Sequence, residues 1–121
     1  MEKQKLWIEP VGSMIVARLR GVPTEEILKE CQERILALVQ DTGQGKVLYD
    51  TLEMEAPDID LVLTQQKLQE ELRASLADIK LRKAIVVPDS RIAYLSRIAF
   101  GEGNYRVFYS DLTAAIQWLE E

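Results

Sequence analysis

Acidic side chains crowd the stretch KVLYDTLEMEAPDID, residues 46–60, which begins with a short apolar run. Asp50 ends that run, and Asp89 follows a later one, KAIVVP. If both runs are parallel strands, their carboxyl ends meet at one edge of the sheet and these two carboxylates could lie close together. A hard cation such as Mg²⁺ could bind there through one or two carboxylates and several waters. One hypothesis is therefore a metal-dependent hydrolase.

A simpler interpretation explains the same acids. Asp58, Asp89 and Asp111 each stand at the start of a predicted helix, where a carboxylate caps free backbone N–H groups. Glu53 and Glu55 are then ordinary loop acids. The stretch also lacks the glycine and the terminal glutamate of a calcium-binding loop. The sequence therefore favours helix caps in a solvated loop, and we expect no metal and no cofactor.

The composition excludes several kinds of chemistry. Histidine is absent, which removes the usual general base at neutral pH, the Ser-His and Cys-His nucleophile pairs and most zinc sites. Cys31 is the single cysteine, so no internal disulfide can form, and its place on an apolar helical stripe predicts a small core residue. We expect a protein that is not an enzyme.

The charge and the hydropathy of the sequence indicate which partners the protein can bind and where in the cell it is located. The net charge of −5 gives a surface that repels phosphate backbones, so we expect no nucleic-acid partner. The first ten residues lack an apolar core of signal-peptide length, and no apolar run approaches the roughly 20 residues that span a bilayer. The 121 residues fit one domain, 1–121. We expect a single cytoplasmic domain without a membrane span.

The periodicity predicts alternating strands and helices. Five strands are predicted over residues 5–9, 13–20, 46–50, 83–88 and 105–109. Four helices are predicted from Thr24 to about Gln40, from about Asp58 to Asp78, from Asp89 or Ser90 to Phe100, and from Asp111 onward. The order ββαβαβαβα predicts an α/β fold: a mostly parallel five-stranded sheet with four helices and an antiparallel N-terminal edge strand.

The second predicted helix is apolar on two faces at its start. Its main stripe is formed by Leu61, Leu68, Leu72 and Leu76. On a wheel with steps of about 100°, Ile59 and Leu63 fall on the far side of that stripe, and Met54 precedes the helix. One hypothesis is a second apolar surface for a partner or ligand. The alternative is that the chain before Leu61 is not yet helical and tucks these side chains under the loop as core.

Two further residues join this candidate site. Phe100 lies opposite Ile92, Leu95 and Ala99 on the wheel of its own helix, which suggests a surface position. Asp58 supplies a fixed negative charge at the start of the second helix. The predicted partner- or ligand-binding residues are Met54, Asp58, Ile59, Leu63 and Phe100.

Four stretches carry a resemblance to a known family: ARLRGVPTEE, KVLYDTLE, RKAIVVPD and YRVFYSDLTAAIQWLEE. With their spacing they resemble the SpoIIAA-like branch of the STAS superfamily, the sulfate-transporter and anti-sigma-factor-antagonist domains. A similar βα architecture occurs in CRAL-TRIO lipid-binding domains. The stretches are markers of topology, and none is a catalytic signature.

The resemblance implies a binding module in one of two forms. Anti-sigma antagonists are regulated through a phosphorylated Ser or Thr at the start of the helix after the second parallel strand. Here the matching segment, EMEAPDID, contains neither, and the nearest hydroxyls are those of Thr51 and Thr64. We therefore expect a non-catalytic module without that switch, which binds a protein partner or forms a homodimer. The alternative is a carrier or sensor of a small apolar, lipid-like ligand, which would need a deep apolar cavity.

Overall fold

The structure is a computed structural model that describes residues 5–101 and 103–121. Its elements are β1 Leu6–Val11, β2 Met14–Gly21, α1 Glu25–Thr42, β3 Lys46–Met54, α2 Ile59–Ser75, β4 Arg82–Val87, α3 Ser90–Phe100, β5 Tyr105–Tyr109 and α4 Leu112–Glu120. The strands form one sheet in the order β1-β2-β3-β4-β5. β1 is antiparallel to β2, and the other neighbours are parallel. The predicted fold class is confirmed.

Each helix begins where the sequence places a capping side chain. The Thr24 hydroxyl accepts a hydrogen bond from the N–H of Ile27 at 3.2 Å, which starts α1. Asp58, Asp89 and Asp111 cap α2, α3 and α4 in the same way, with N···O distances of 2.9 Å each. These bonds satisfy backbone donors that would otherwise lack a partner in the first turn.

The sheet separates two hydrophobic cores of unequal size. The larger core lies under α1, α2 and α3 and includes Cys31, which is 4% exposed, so its predicted core position is confirmed. Burial raises the pKa of this thiol to about 12. The smaller core lies under α4 and consists of Met14, Leu48, Ala84, Val86, Ala115 and Leu119. No helix in the described ranges is both long and apolar enough to cross a bilayer.

Strand β3 is four residues longer than its sequence predicts. A bulge between Arg18 and Arg20 lets β2 continue its pairing, so that Arg20 lies opposite Glu53 and Gly21 opposite Met54. Glu53 forms an ion pair with the Arg20 guanidinium. The interpretation of Glu53 as a loop acid is therefore wrong, because a neighbouring strand supplies backbone partners for this segment.

Candidate functional site

The carboxyl edge of the parallel strands holds a small apolar cavity beneath the first turns of α2 and α3. Its volume is about 60 Å³. The loops that follow β2 and β3 meet there, and the N–H of Glu55 donates to the carbonyl of Gly21 at 2.9 Å. The cavity is lined by side chains that include Leu19, Pro23, Met54, Pro57, Leu61, Gln65, Leu95 and Ser96. This is the edge where ligands bind in open α/β sheets.

The two carboxylates proposed as metal ligands, those of Asp50 and Asp89, already accept hydrogen bonds from other groups of the protein. Asp50 lies within β3 and is 5% exposed. Its carboxylate accepts hydrogen bonds from Nε of Arg18 at 3.1 Å and from the N–H of Leu52 at 3.1 Å. Asp89 caps α3. Within residues 5–101 and 103–121, no three His, Cys, Asp or Glu side chains are grouped as metal ligands.

Millimolar Mg²⁺ or Ca²⁺ is therefore expected to leave the melting temperature unchanged. A cation at 100 times its dissociation constant would stabilise the protein by about 2.7 kcal/mol, which a thermal melt would detect. Melts are compared for the wild type, Asp50→Asn and a control, Asp41→Asn, whose side chain is exposed at the other edge of the sheet. An upward shift that Asp50→Asn abolishes and Asp41→Asn retains would restore the hydrolase hypothesis.

Exposed apolar side chains concentrate at this edge. Among the described residues, six large hydrophobic side chains are strongly exposed, and five of them lie at or just after the carboxyl ends of the parallel strands β2 to β5, or in the first turns of the helices that follow. We define the carboxyl-edge patch as Val22, Ile59, Leu63 and Tyr94, whose exposed fractions are 52%, 53%, 49% and 64%. Tyr109 ends β5 at the same edge, and Val11 lies at the other.

The start of α2 separates the two hypotheses for Ile59 and Leu63. The helix begins at Ile59, and both side chains are exposed. The alternative that they are core is therefore wrong for Ile59 and Leu63, whereas Met54 and Ala56, which precede the helix, pack against the large core as that alternative expects. Asp58 caps the helix beside the two exposed side chains, and the half-buried Met54 lines the adjacent cavity. Four of the five predicted residues thus lie around one helix start.

The surface position predicted for Phe100 is wrong, because its side chain is only 8% exposed. The ring lies 4.9 Å from that of Tyr49 in an edge-to-face arrangement and 5.8 Å from that of Tyr105. The inward face of α3 also includes Ala93, so it is broader than the stripe that its sequence suggests. Phe100 is the last residue of α3, and its ring closes the large core at the far end of the helix.

The nearest hydroxyl before α2 is also buried. Thr51 is 5% exposed, and its hydroxyl donates to the carbonyl of Val86 at 2.7 Å. The hydroxyl therefore bonds to the neighbouring strand β4, and the side chain forms part of the wall of the apolar cavity.

Lys83, Gln69 and Tyr49 form a buried polar network that the sequence analysis does not predict. Nζ of Lys83 donates to Oε1 of Gln69 at 2.6 Å, and Nε2 of Gln69 donates to the hydroxyl of Tyr49 at 3.4 Å. Burial lowers the pKa of Lys83 to about 8, and repulsion from Arg73 adds to this effect. The period of two in a strand could have found this lysine, since it puts Lys83 on the same face as Ile85.

Comparisons with known proteins identify the fold. No family model matches the sequence, and no curated protein matches it. The structure is similar to that of the anti-sigma factor antagonist SpoIIAA in its unphosphorylated form, with a TM-score of 0.69, 13% identity and coverage of 95% of this chain and 97% of the other.

Two further solved structures give the same result. An uncharacterised DUF3478-family protein from Shewanella loihica, described as having a SpoIIAA-like fold, has a TM-score of 0.64 at 19% identity, with 98% of each chain covered. The protein TM1081 has a TM-score of 0.65 at 11% identity, with 100% of this chain and 93% of the other covered. This chain therefore has a SpoIIAA-like, STAS-type fold, as predicted; the CRAL-TRIO comparison stays a prediction.

Proposed function

We propose that this protein is a non-catalytic STAS-type interaction module that binds a protein partner, or a second copy of itself, through the carboxyl-edge patch. The observation that carries the proposal is the concentration of exposed apolar side chains at the carboxyl edge of the sheet, two of them in the first turns of α2. Single exposed hydrophobic residues are normal on a protein surface. A cluster at one end, rimmed by polar groups, is typical of an interaction site.

The patch has the chemistry of a protein interface. Ile59, Leu63 and Tyr94 offer aliphatic and aromatic surface, and aromatic side chains are enriched at interface centres. Asp58 and Asp60 are exposed beside them and would form a charged rim. The similarity to SpoIIAA, an anti-sigma factor antagonist, supports a regulatory role that is exercised on another protein.

The size of the cavity supports this function over that of a carrier. Pockets that enclose drug-sized ligands measure about 300–1,000 Å³. The apolar cavity under α2 and α3 has a volume of about 60 Å³. A lipid-like ligand would not fit this cavity without movement of the helices, whereas a protein partner needs only the exposed patch.

We further propose that no phosphorylation switch operates at the start of α2. Asp58 holds the capping position and carries a permanent negative charge where a phosphorylated hydroxyl would introduce one. The Thr51 hydroxyl is buried and bonded to Val86. A kinase would have to unfold the end of β3 to reach it.

The double variant Ile59→Ser with Leu63→Ser is expected to keep the wild-type melt and lose partner binding. Both side chains are about half exposed, so their removal costs the fold little. Binding is measured by quantitative affinity capture from the source cells, and self-association by sedimentation velocity. Val11→Ser is the matched control, since Val11 is 44% exposed at the opposite edge.

Three results would contradict the proposal. Unchanged capture and self-association in the double variant would show that the patch binds no protein. Loss of several kcal/mol of stability would show that Ile59 and Leu63 belong to the core. Retention of an apolar ligand by the wild type alone, in native mass spectrometry, would favour the carrier.

A further inference from the structure

The ammonium group of Lys83 is incompletely satisfied by the protein. Lys83 is only 9% exposed, and an ammonium can donate three hydrogen bonds. In residues 5–101 and 103–121, its hydrogen-bond acceptor is the neutral Oε1 of Gln69, and no carboxylate lies within 4 Å of it. Buried charges are normally paired, so a cation with one neutral partner calls for an explanation.

A cavity of about 120 Å³ lies beside this ammonium, at the amino edge of the sheet, whereas the carboxyl-edge patch lies at the other edge. Arg73 and Asn104 line it together with Lys83, so its polar groups include two cations. The described lining contains no carboxylate. The rest of the wall consists of Ile79, Leu81, Phe100, Gly103 and Tyr105.

A wider crevice, whose lining includes the Glu70 carboxylate, adjoins the cavity. That crevice has a volume of about 610 Å³ and shares Arg73 and Phe100 with the cavity. The Arg73 side chain is exposed, so it stands where a ligand would enter, while Lys83 lies inside.

We propose that this cavity binds a small monocarboxylate, with its carboxylate between Lys83 and Arg73 and a short apolar part against the opposite wall. Hydrogen bonds between a carboxylate and a charged donor are roughly twice as strong as neutral ones, and a low local dielectric strengthens them further. The cavity is smaller than the roughly 300–1,000 Å³ of pockets for drug-sized ligands, so the ligand has only a few heavy atoms. An apolar wall gives inorganic phosphate nothing to contact, which favours a carboxylate with a short hydrocarbon group.

The proposal is tested by ¹H–¹⁵N NMR titration of the whole chain at pH 7 and constant ionic strength. The probes are sodium isobutyrate, acetate, phosphate and chloride. Isobutyrate is expected to shift the amide signals of Asn104 and Tyr105 saturably at millimolar concentration, more tightly than acetate, and chloride is expected to have no saturable effect. Arg73→Gln is expected to weaken binding at least tenfold, and Lys83→Met to abolish it.

Arg91→Gln is the matched control, because Arg91 is an exposed arginine in the first turn of α3 at the other edge. It is expected to bind isobutyrate like the wild type. The same spectra report whether each variant is folded, and the exposed Arg73 carries the test if Lys83→Met does not fold. The proposal is overturned if isobutyrate produces no saturable shift, if Arg73→Gln binds it like the wild type, or if phosphate saturates the site at a lower concentration.

Discussion

Raising the pH from 8 to 10.5 is expected to stabilise the wild-type protein by roughly 3 kcal/mol relative to a Lys83→Met variant. In the folded protein the pKa of Lys83 is lowered to about 8 from an ordinary value of 10.5. Between these values the Lys83 side chain holds a proton in the unfolded chain that it has released in the folded protein, so its contribution to stability rises with pH. Each unit of difference is worth about 1.36 kcal/mol.

The sign of this effect follows from the surroundings of the ammonium. Gln69 is neutral, Arg73 is positive, and the Phe100 ring centre lies 5.8 Å from Nζ. None of these groups replaces the hydration that the ammonium loses on burial, so folding with a charged Lys83 costs free energy below pH 8. This cost becomes small by pH 10.5, where Lys83 is neutral in the folded protein. Burial raises the pKa values of Tyr49 and Cys31, so both groups ionise in the unfolded chain before they do in the folded protein, and both lower stability as the pH rises. They do so equally in the wild type and in Lys83→Met, so the difference between these two proteins reports Lys83.

Urea denaturation at several pH values measures the effect. Lys67→Met is the control, because Lys67 is exposed on α2, and its stability is expected to follow the wild-type pH profile. Lys83→Met also leaves Oε1 of Gln69 without its donor, which adds a constant penalty but no slope with pH. A wild-type profile parallel to that of Lys83→Met from pH 8 to 10.5 would show that Lys83 is solvated or paired in the folded protein.

Phe100→Ala is expected to destabilise the protein by about 3–5 kcal/mol. The substitution removes a buried ring that contacts Tyr49 and Tyr105 and leaves a cavity between α3 and the sheet. Denaturant unfolding gives the change in the free energy of unfolding. Tyr94→Ala is the control, since this aromatic side chain is 64% exposed on the same helix and its loss is expected to change stability by no more than about 0.5 kcal/mol.

The opposite pattern would restore the surface role that the sequence pattern suggests for Phe100. In that case Phe100→Ala would melt like the wild type and lose partner binding. The comparison with Ile59→Ser and Leu63→Ser is informative, because all three positions were predicted as one site and the structure buries only Phe100.

Local patterns predicted the order of the elements and most of their starts. Thr24, Asp58, Asp89 and Asp111 are caps whose effect depends on the next three residues alone. The wheel also placed Ile59 and Leu63 opposite the main stripe of α2, since the period of a helix is a local property, but it left open whether the helix begins before Leu61. These features required no knowledge of the neighbouring elements.

Contacts between distant residues were decided only by the tertiary structure. β3 extends to Met54 because β2 supplies backbone hydrogen-bond partners for its last residues. The Asp50 carboxylate forms an ion pair because Arg18 lies beside it on the neighbouring strand β2. The burial of Phe100 depends on what packs against the end of α3. The sequence by itself therefore determined the fold class and the caps that start the helices, because caps and periodicity are local. The folded chain decided that Ile59 and Leu63 are exposed and which charges are paired and buried, because the partners of those charges are 14 to 33 residues away.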